Sequence, residues 1–296
     1  MASLGECYNL SIGTTRDDAK EFYWNLKAAE AGNSNGQWHV AHNYRHGRGI
    51  KQDPKMSFSW FRKSAAQGNT KGYLGKAHCY HLGIGTYKDV ALIFQWTLKA
   101  AEAGDRLGQN NVAHIYKMGE GTKVDLMKCF YWFHESANNG SFDGMLGLGD
   151  CYRLGLGVVK DEQKYFGWNL KAAEGRYEKA FYSTAACYGR GMGTALNSDK
   201  AFYWHMKSAI IGAAPSQFSI GYAYQNGLGV EIDLREALKW YLLAANQGHM
   251  NAQCNCGFLY EKGMGVMKNN TKALEWYTKA ATQGSKSALN KIARVS

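Results

Sequence analysis

The residues of this chain best suited to chemistry by type and spacing are histidines. His39, His42 and His46 fall within eight residues, and His78 and His114 follow His42 at successive intervals of 36. On a helix His42 and His46 stand at i and i+4, the spacing that can set two imidazoles on one zinc ion. A closed tetrahedral site needs further ligands. His78 would have to reach from a neighbouring helix whose axis lies about 8–10 Å away, and the one carboxylate on the stripe, Asp150, stands two intervals beyond His78. The expectation is therefore no metal and no cofactor, with His42 and His46 as the pair from which such a site would have to start. The histidines read instead as a polar stripe that titrates near pH 6.5 and meets acidic or hydrogen-bonding groups of a partner.

Other catalytic constellations are missing from the sequence. No S-x-x-K, G-x-S-x-G, H-E-x-x-H or phosphate-loop pattern occurs. The seven cysteines are an odd number, which points to free thiols and a reducing, cytoplasmic-type compartment. Cys7, Cys79, Cys151 and Cys187 each precede a tyrosine, at positions that elsewhere carry Ile115, Ala223 or Leu259, so they read as small buried hydrophobes. Cys254 and Cys256, two apart on one helix, make a poor metal pair. The chain reads as a non-enzyme, the alternative being a hydrolase or metal-dependent protein that uses the histidine stripe.

The elements that position these residues repeat without a slip. Tryptophan recurs every 36 residues from Trp24 to Trp276, tyrosine from Tyr8 to Tyr260, and glycine from Gly13 to Gly265. Such a period marks an array whose units bury their apolar faces by stacking on neighbours. Small residues stand three before each tyrosine, from Gly5 and Ala41 to Gly257, where they let helices approach closely. A G-x-G turn follows the tyrosine, as in Gly47-Arg48-Gly49, and glycine ends helices because it adopts left-handed dihedrals freely. Four residues later Asp17, Asp53, Asp89, Asp125, Asp161, Asn197, Asp233 or Asn269 supplies the N-cap of a second helix. With two prolines and no strand-like alternation, each unit is two short helices. Arg176 occupies a position that is glycine in the other seven units, and the spacing predicts a helix ending one residue early, at Gly175.

The pattern of small residue, tyrosine, G-x-G, aspartate, tryptophan and Lys-Ala-Ala resembles the Sel-1-like repeat family, a relative of tetratricopeptide repeats. The likeness runs over eight units, the first truncated at its N-terminus, plus a half-repeat helix at Lys286 to Ser296. It implies an all-α fold, a right-handed superhelical solenoid of antiparallel helix pairs forming one domain over residues 1–296. It further implies first helices lining a concave face, second helices on the convex side, and the work of adaptors, immunity or inhibitor proteins and host-interaction proteins. A cysteine-rich branch of the family clips its helices with disulfides and carries cysteine at the second alanine of Lys-Ala-Ala. All eight of those positions are alanine here, from Ala29 to Ala281.

The binding face follows from helical geometry. Residues two and five before the tyrosine, and two after it, point about 160–220° away from it. The first column reads Glu6, His42, His78, His114, Asp150, Ala186, Tyr222 and Phe258; His39 and Ser219 belong to the second, His46 and Arg190 to the third. None keeps one residue type, and variable faces carry specificity in repeat proteins. The expected partner-binding residues are His39, His42, His46, His78, His114, Asp150, Arg190, Tyr222 and Phe258, holding a protein or peptide partner that the net charge of +11 would suit to be acidic. Much of that charge sits in spaced lysine columns such as Lys63 and Lys99, not in a dense basic stripe, which argues against nucleic acid. No apolar run of 18 residues spans a membrane, and the first ten residues show no signal-peptide pattern.

Overall fold

The computed structural model describes Tyr8 and residues 15–295; Gly5, Glu6, Cys7 and Gly13 lie outside the described residues. The chain divides into two compact units, residues 1–160 and 161–296. The first contains α1 (Asp18–Glu30), α2 (Ser34–His46), α3 (Pro54–Ala66), α4 (Thr70–Leu82), α5 (Val90–Glu102), α6 (Arg106–Met118), α7 (Leu126–Asn138) and α8 (Phe142–Leu154). The second contains α9 (Glu162–Glu174), α10 (Glu178–Arg190), α11 (Ser198–Ile210), α12 (Ala214–Asn226), α13 (Leu234–Asn246), α14 (Met250–Lys262), α15 (Asn270–Thr282) and α16 (Lys286–Val295). Odd-numbered helices up to α15 carry the recurrent tryptophan and even-numbered helices up to α14 the tyrosine. There is no strand among the described residues. The chain is an all-helical solenoid of paired helices.

Local chemistry sets the helix ends. All eight predicted aspartate and asparagine N-caps accept a hydrogen bond from a backbone N–H of the first turn, as when Lys128 N–H donates to Asp125 at 3.0 Å. The tyrosine helices have a cap series of their own: Asn33, Asn69, Asp105, Ser141 and His249, with none at Tyr177 or Ala213. In each G-x-G the first glycine is the left-handed C-cap. The second has a different duty: a Cβ at Gly193 would lie 1.9 Å from the Glu162 carbonyl oxygen, so only glycine lets that turn meet the start of α9.

The structure corrects the expectation at Arg176. Helix α9 keeps the full 13 residues, Gly175 has φ −69°, and Arg176 itself adopts φ 62°, the place that Gly32, Gly68 and Gly104 take with positive φ. The turn after α9 thus retains its geometry at the cost of a strained arginine.

Tryptophan is also less central than its period suggests. Trp24, Trp96, Trp132, Trp168 and Trp240 are half-buried, whereas the residue after each of these five is buried. That column reads Asn25, Phe61, Thr97, Phe133, Asn169, His205, Tyr241 and Tyr277. Its four aromatics are at most 2% exposed, and each is accommodated by a glycine. A Cβ at Gly75 or Gly147 would come within 2.3 Å of the Phe61 or Phe133 ring; one at Gly221 or Gly257 would come within 2.7 or 2.6 Å of Tyr241 or Tyr277.

A second device joins the two helices of one repeat. Gln67 donates to Gln37 (2.7 Å), Asn139 to Gln109 (2.8 Å), Gln247 to Gln217 (2.7 Å) and Gln283 to Gln253 (2.8 Å), while each acceptor glutamine donates in turn to a carbonyl such as Ala209 O. In two other repeats both positions change together, to Tyr73 with Ala103 and Phe181 with Ile211. Satisfied amides or apolar pairs fill the same place, and a mixed pair, which would bury an unmet amide, is avoided.

Candidate functional site

Whether the binding face is open or closed depends on the column after tryptophan. Where that residue is phenylalanine, the ring fills the space behind the preceding tyrosine helix. His42 then lies edge-on to Phe61 (ring centroids 5.9 Å apart) and His114 to Phe133 (4.9 Å). Where it is Thr97 or His205, a cavity opens.

In the first unit the cavity has a volume of about 560 Å³, with Thr97 and Ile93 of α5 in its wall beside His78, His114, Asn111 and Met118. Burial, together with nearby cationic groups, pushes the pKa values of His78 and His114 below the ordinary imidazole value. Arg45 donates to His78 Nε2. Glu120 stands at the rim, so this cavity mixes neutral imidazoles with one carboxylate.

His39, His42 and His46 form a separate group on α2. Trp38 lies edge-on to His39, with ring centroids 4.8 Å apart, and tilted against His42 at 4.5 Å, and His46 lies 5.3 Å from His42. Burial is the main cause that pushes His42 down to about 4, with the charges of His46 and Arg45 adding to it. His46 is lowered as well. His42 therefore stays neutral well below pH 6.5, and His46, His78 and His114 are shifted in the same direction, which corrects the titration expected from sequence. Among the described residues no group of three or more His, Cys, Asp or Glu side chains is placed to hold a metal ion.

In the second unit the cavity is about 340 Å³ and contains the predicted Arg190 and Tyr222. Sequence reasoning missed the rest of its wall: His205 in its lining, Tyr182 facing that imidazole at a ring distance of 5.7 Å, and Phe218 beside Tyr222 at 6.5 Å. His205 contacts Ser216 Oγ at 3.4 Å, and burial, then the Arg190 charge, pushes its pKa down to about 4. The signal was present in the sequence, since Thr97 and His205 stand in a column that holds phenylalanine or tyrosine in four other repeats.

Two predicted residues are engaged inside their own units. Asp150 accepts from Arg153 Nε at 3.1 Å and Nη2 at 2.9 Å. Phe258 is half-buried against the core of the second unit, with the Lys291 ammonium of α16 4.8 Å from its ring. The lysine columns are engaged too. Lys63, Lys99, Lys171 and Lys279 lie 3.9–4.9 Å from the ring centres of their tryptophans, and Lys20 and Lys128 pair with the cap carboxylates of Asp17 and Asp125. All six described cysteines are free and buried. No helix of the described residues is long and apolar enough to cross a membrane.

Comparison with known proteins follows this geometry. The structure is similar to that of c5321, described as a protective antigen present in uropathogenic Escherichia coli strains, with 30% identity and a TM-score of 0.93. The match covers 99% of this chain and 63% of that one, so this chain spans less than two thirds of that protein's length. A Sel1 repeat protein from Oxalobacter formigenes matches with 26% identity and a TM-score of 0.73, over 99% of this chain and 86% of the other. The search of curated proteins gave no match. The model of the Sel1 repeat matches residues 1–33, 34–69, 73–105, 106–141, 143–177, 179–210, 214–249 and 251–285. With eight repeats and the paired helices they predict, the chain belongs to the Sel1 repeat family.

Proposed function

We propose that this chain is a non-catalytic protein-binding scaffold that holds a partner protein or peptide on the face of its tyrosine helices. Sel1-repeat proteins generally mediate protein–protein interaction, and immunity, inhibitor and host-interaction roles are particular cases of it. The observation that carries the reading is the placement of a cavity on this face in each unit. One is lined by His78 and His114, the other by Arg190 and Tyr222, all from the variable columns. The tyrosine and tryptophan columns do not vary, so the face can change without disturbing the stack. Arginine and tyrosine are the residue types that dominate binding hot spots.

The deciding experiment compares protein captured from cells by the intact chain with that captured by a His78→Ala, His114→Ala, Arg190→Ala, Tyr222→Ala variant of unchanged helicity. Loss of a specific partner from the variant supports the scaffold reading. An identical captured set, or a hydrolytic activity abolished by the two histidine changes, overturns it.

A further inference from the structure

The cavity of the second unit has a sharper chemical character than a general contact surface. None of the residues lining it is acidic. Arg190, the last residue of α10, is exposed on its rim and makes no hydrogen bond or ion pair with any described residue. Other cations near this face are satisfied: Arg153 is held by Asp150, and Lys262 by Glu261 at 2.6 Å. Tyr182 and Tyr222 remain 41% and 47% exposed, and both belong to the cavity wall. A guanidinium left free beside aromatic walls presents a planar fork of N–H donors in partly desolvated surroundings. That geometry matches a carboxylate, which accepts two parallel hydrogen bonds from it. At about 340 Å³ the cavity lies near the lower end of ligand pockets, roughly 300–1,000 Å³, and is smaller than a helix of about 10–12 Å diameter would need.

We infer that this cavity is a carboxylate-recognising subsite that takes an acidic residue of an extended peptide, with Arg190 as the charged partner and the Tyr182, Phe218 and Tyr222 rings as its apolar walls. The inference rests on the scaffold reading above and names the chemistry of one of its contacts. Ser219 and the Tyr222 hydroxyl line the same cavity and supply further polar groups to the peptide. The cavity of the first unit serves as an internal contrast, because Glu120 on its rim would repel the same ligand.

The test uses the full chain and fluorescein-labelled hexapeptides read by anisotropy. The peptides are hexaglutamate amide, hexaglutamine amide, and hexaglutamine with a free C-terminal carboxylate. Hexaglutamate amide is expected to bind and hexaglutamine amide to fail. Arg190→Gln should weaken hexaglutamate roughly tenfold or more, the scale of a lost charge-assisted bidentate pair. Arg190→Lys should recover part of the loss, and Arg235→Gln, which removes an equal charge from exposed α13, should leave binding unchanged. Binding of free-acid hexaglutamine that depends on Arg190 would assign the site to a chain-terminal carboxylate and keep the inference. Equal weakening by Arg190→Gln and Arg235→Gln would reduce it to net charge, and binding of hexaglutamine amide comparable to hexaglutamate would remove the carboxylate; either overturns it. A cellular partner still captured by Arg190→Gln would leave the scaffold reading standing while the subsite fails.

Discussion

At the scale of single residues, buried polar groups say most about how this chain is specified. His42 and His205 are both held near pKa 4 by burial, against about 6.5 in an unfolded chain. Between those values the unfolded chain binds the proton and the folded one resists it. The contribution of these groups is therefore complete above pH 6.5 and is lost as pH falls toward 4. Urea midpoints measured from pH 7 to pH 4.5 should decline less in a His42→Gln, His205→Gln double variant than in the parent; parallel declines would contradict the assignment. The glutamine pairs make a second claim at this scale. Gln247→Ile alone strips Gln217 Oε1 of its 2.7 Å donor and should cost about 1–3 kcal/mol. Adding Gln217→Phe copies the Phe181 and Ile211 pair, and the double variant should recover about 1 kcal/mol or more in a double-mutant cycle. Strict additivity would mean that the two side chains do not act together.

Among the elements, glycine has separate meanings that sequence alone does not distinguish. Gly147 in α8 and Gly167 in α9 both interrupt helices, where glycine costs roughly 0.5–1 kcal/mol relative to alanine. A Cβ at Gly147 would meet the Phe133 ring at 2.3 Å, whereas one at Gly167 meets nothing within 4 Å. Gly167→Ala should therefore stabilise the protein by about 0.5–1 kcal/mol, and Gly147→Ala should destabilise it by about 1–3 kcal/mol through overpacking. Denaturant titration of the two variants checks the sign; a gain in both would show that Phe133 moves freely. The α9 turn carries the complementary case, in which Arg176 adopts the φ of 62° that the other repeats assign to glycine.

For the whole molecule, α16 covers the core of the repeat that precedes it. Ala288 of α16 is fully buried, and Ile292 and Val295 pack on the core that contains Tyr277 and Ala280. In a stack each helix that covers the apolar face of a complete repeat adds a nearest-neighbour contribution to its stability. Removing residues 286–296 should destabilise the 161–296 unit by about 2–3 kcal/mol, on the scale of one or two buried aliphatic side chains. The fluorescence of Trp276, 9% exposed in the intact chain, should report the loss in a urea melt. An unchanged midpoint would show that α16 adds nothing to the packing of this unit.

The sequence by itself determined the repeat, the two helices of each unit, the N-cap aspartates and the glycine turns. These depend on interactions within one helix or one turn, so their residues recur at fixed positions in every unit. It also placed Arg190, Tyr222, His78 and His114 on the variable columns. Tertiary structure alone decided which of those positions face open space. Phe133 is matched by Gly147, 14 residues later, and Tyr241 by Gly221, 20 residues earlier. Thr97 and His205 lack such a filling ring, and their cavities appear only once helices from adjacent repeats are packed. The same distance dependence explains the half-burial of Phe258, which α16 covers, and the lowered pKa values of His42, His78 and His114. A pKa follows from the desolvation and the charges that neighbouring helices bring, and spacing along one helix does not specify those.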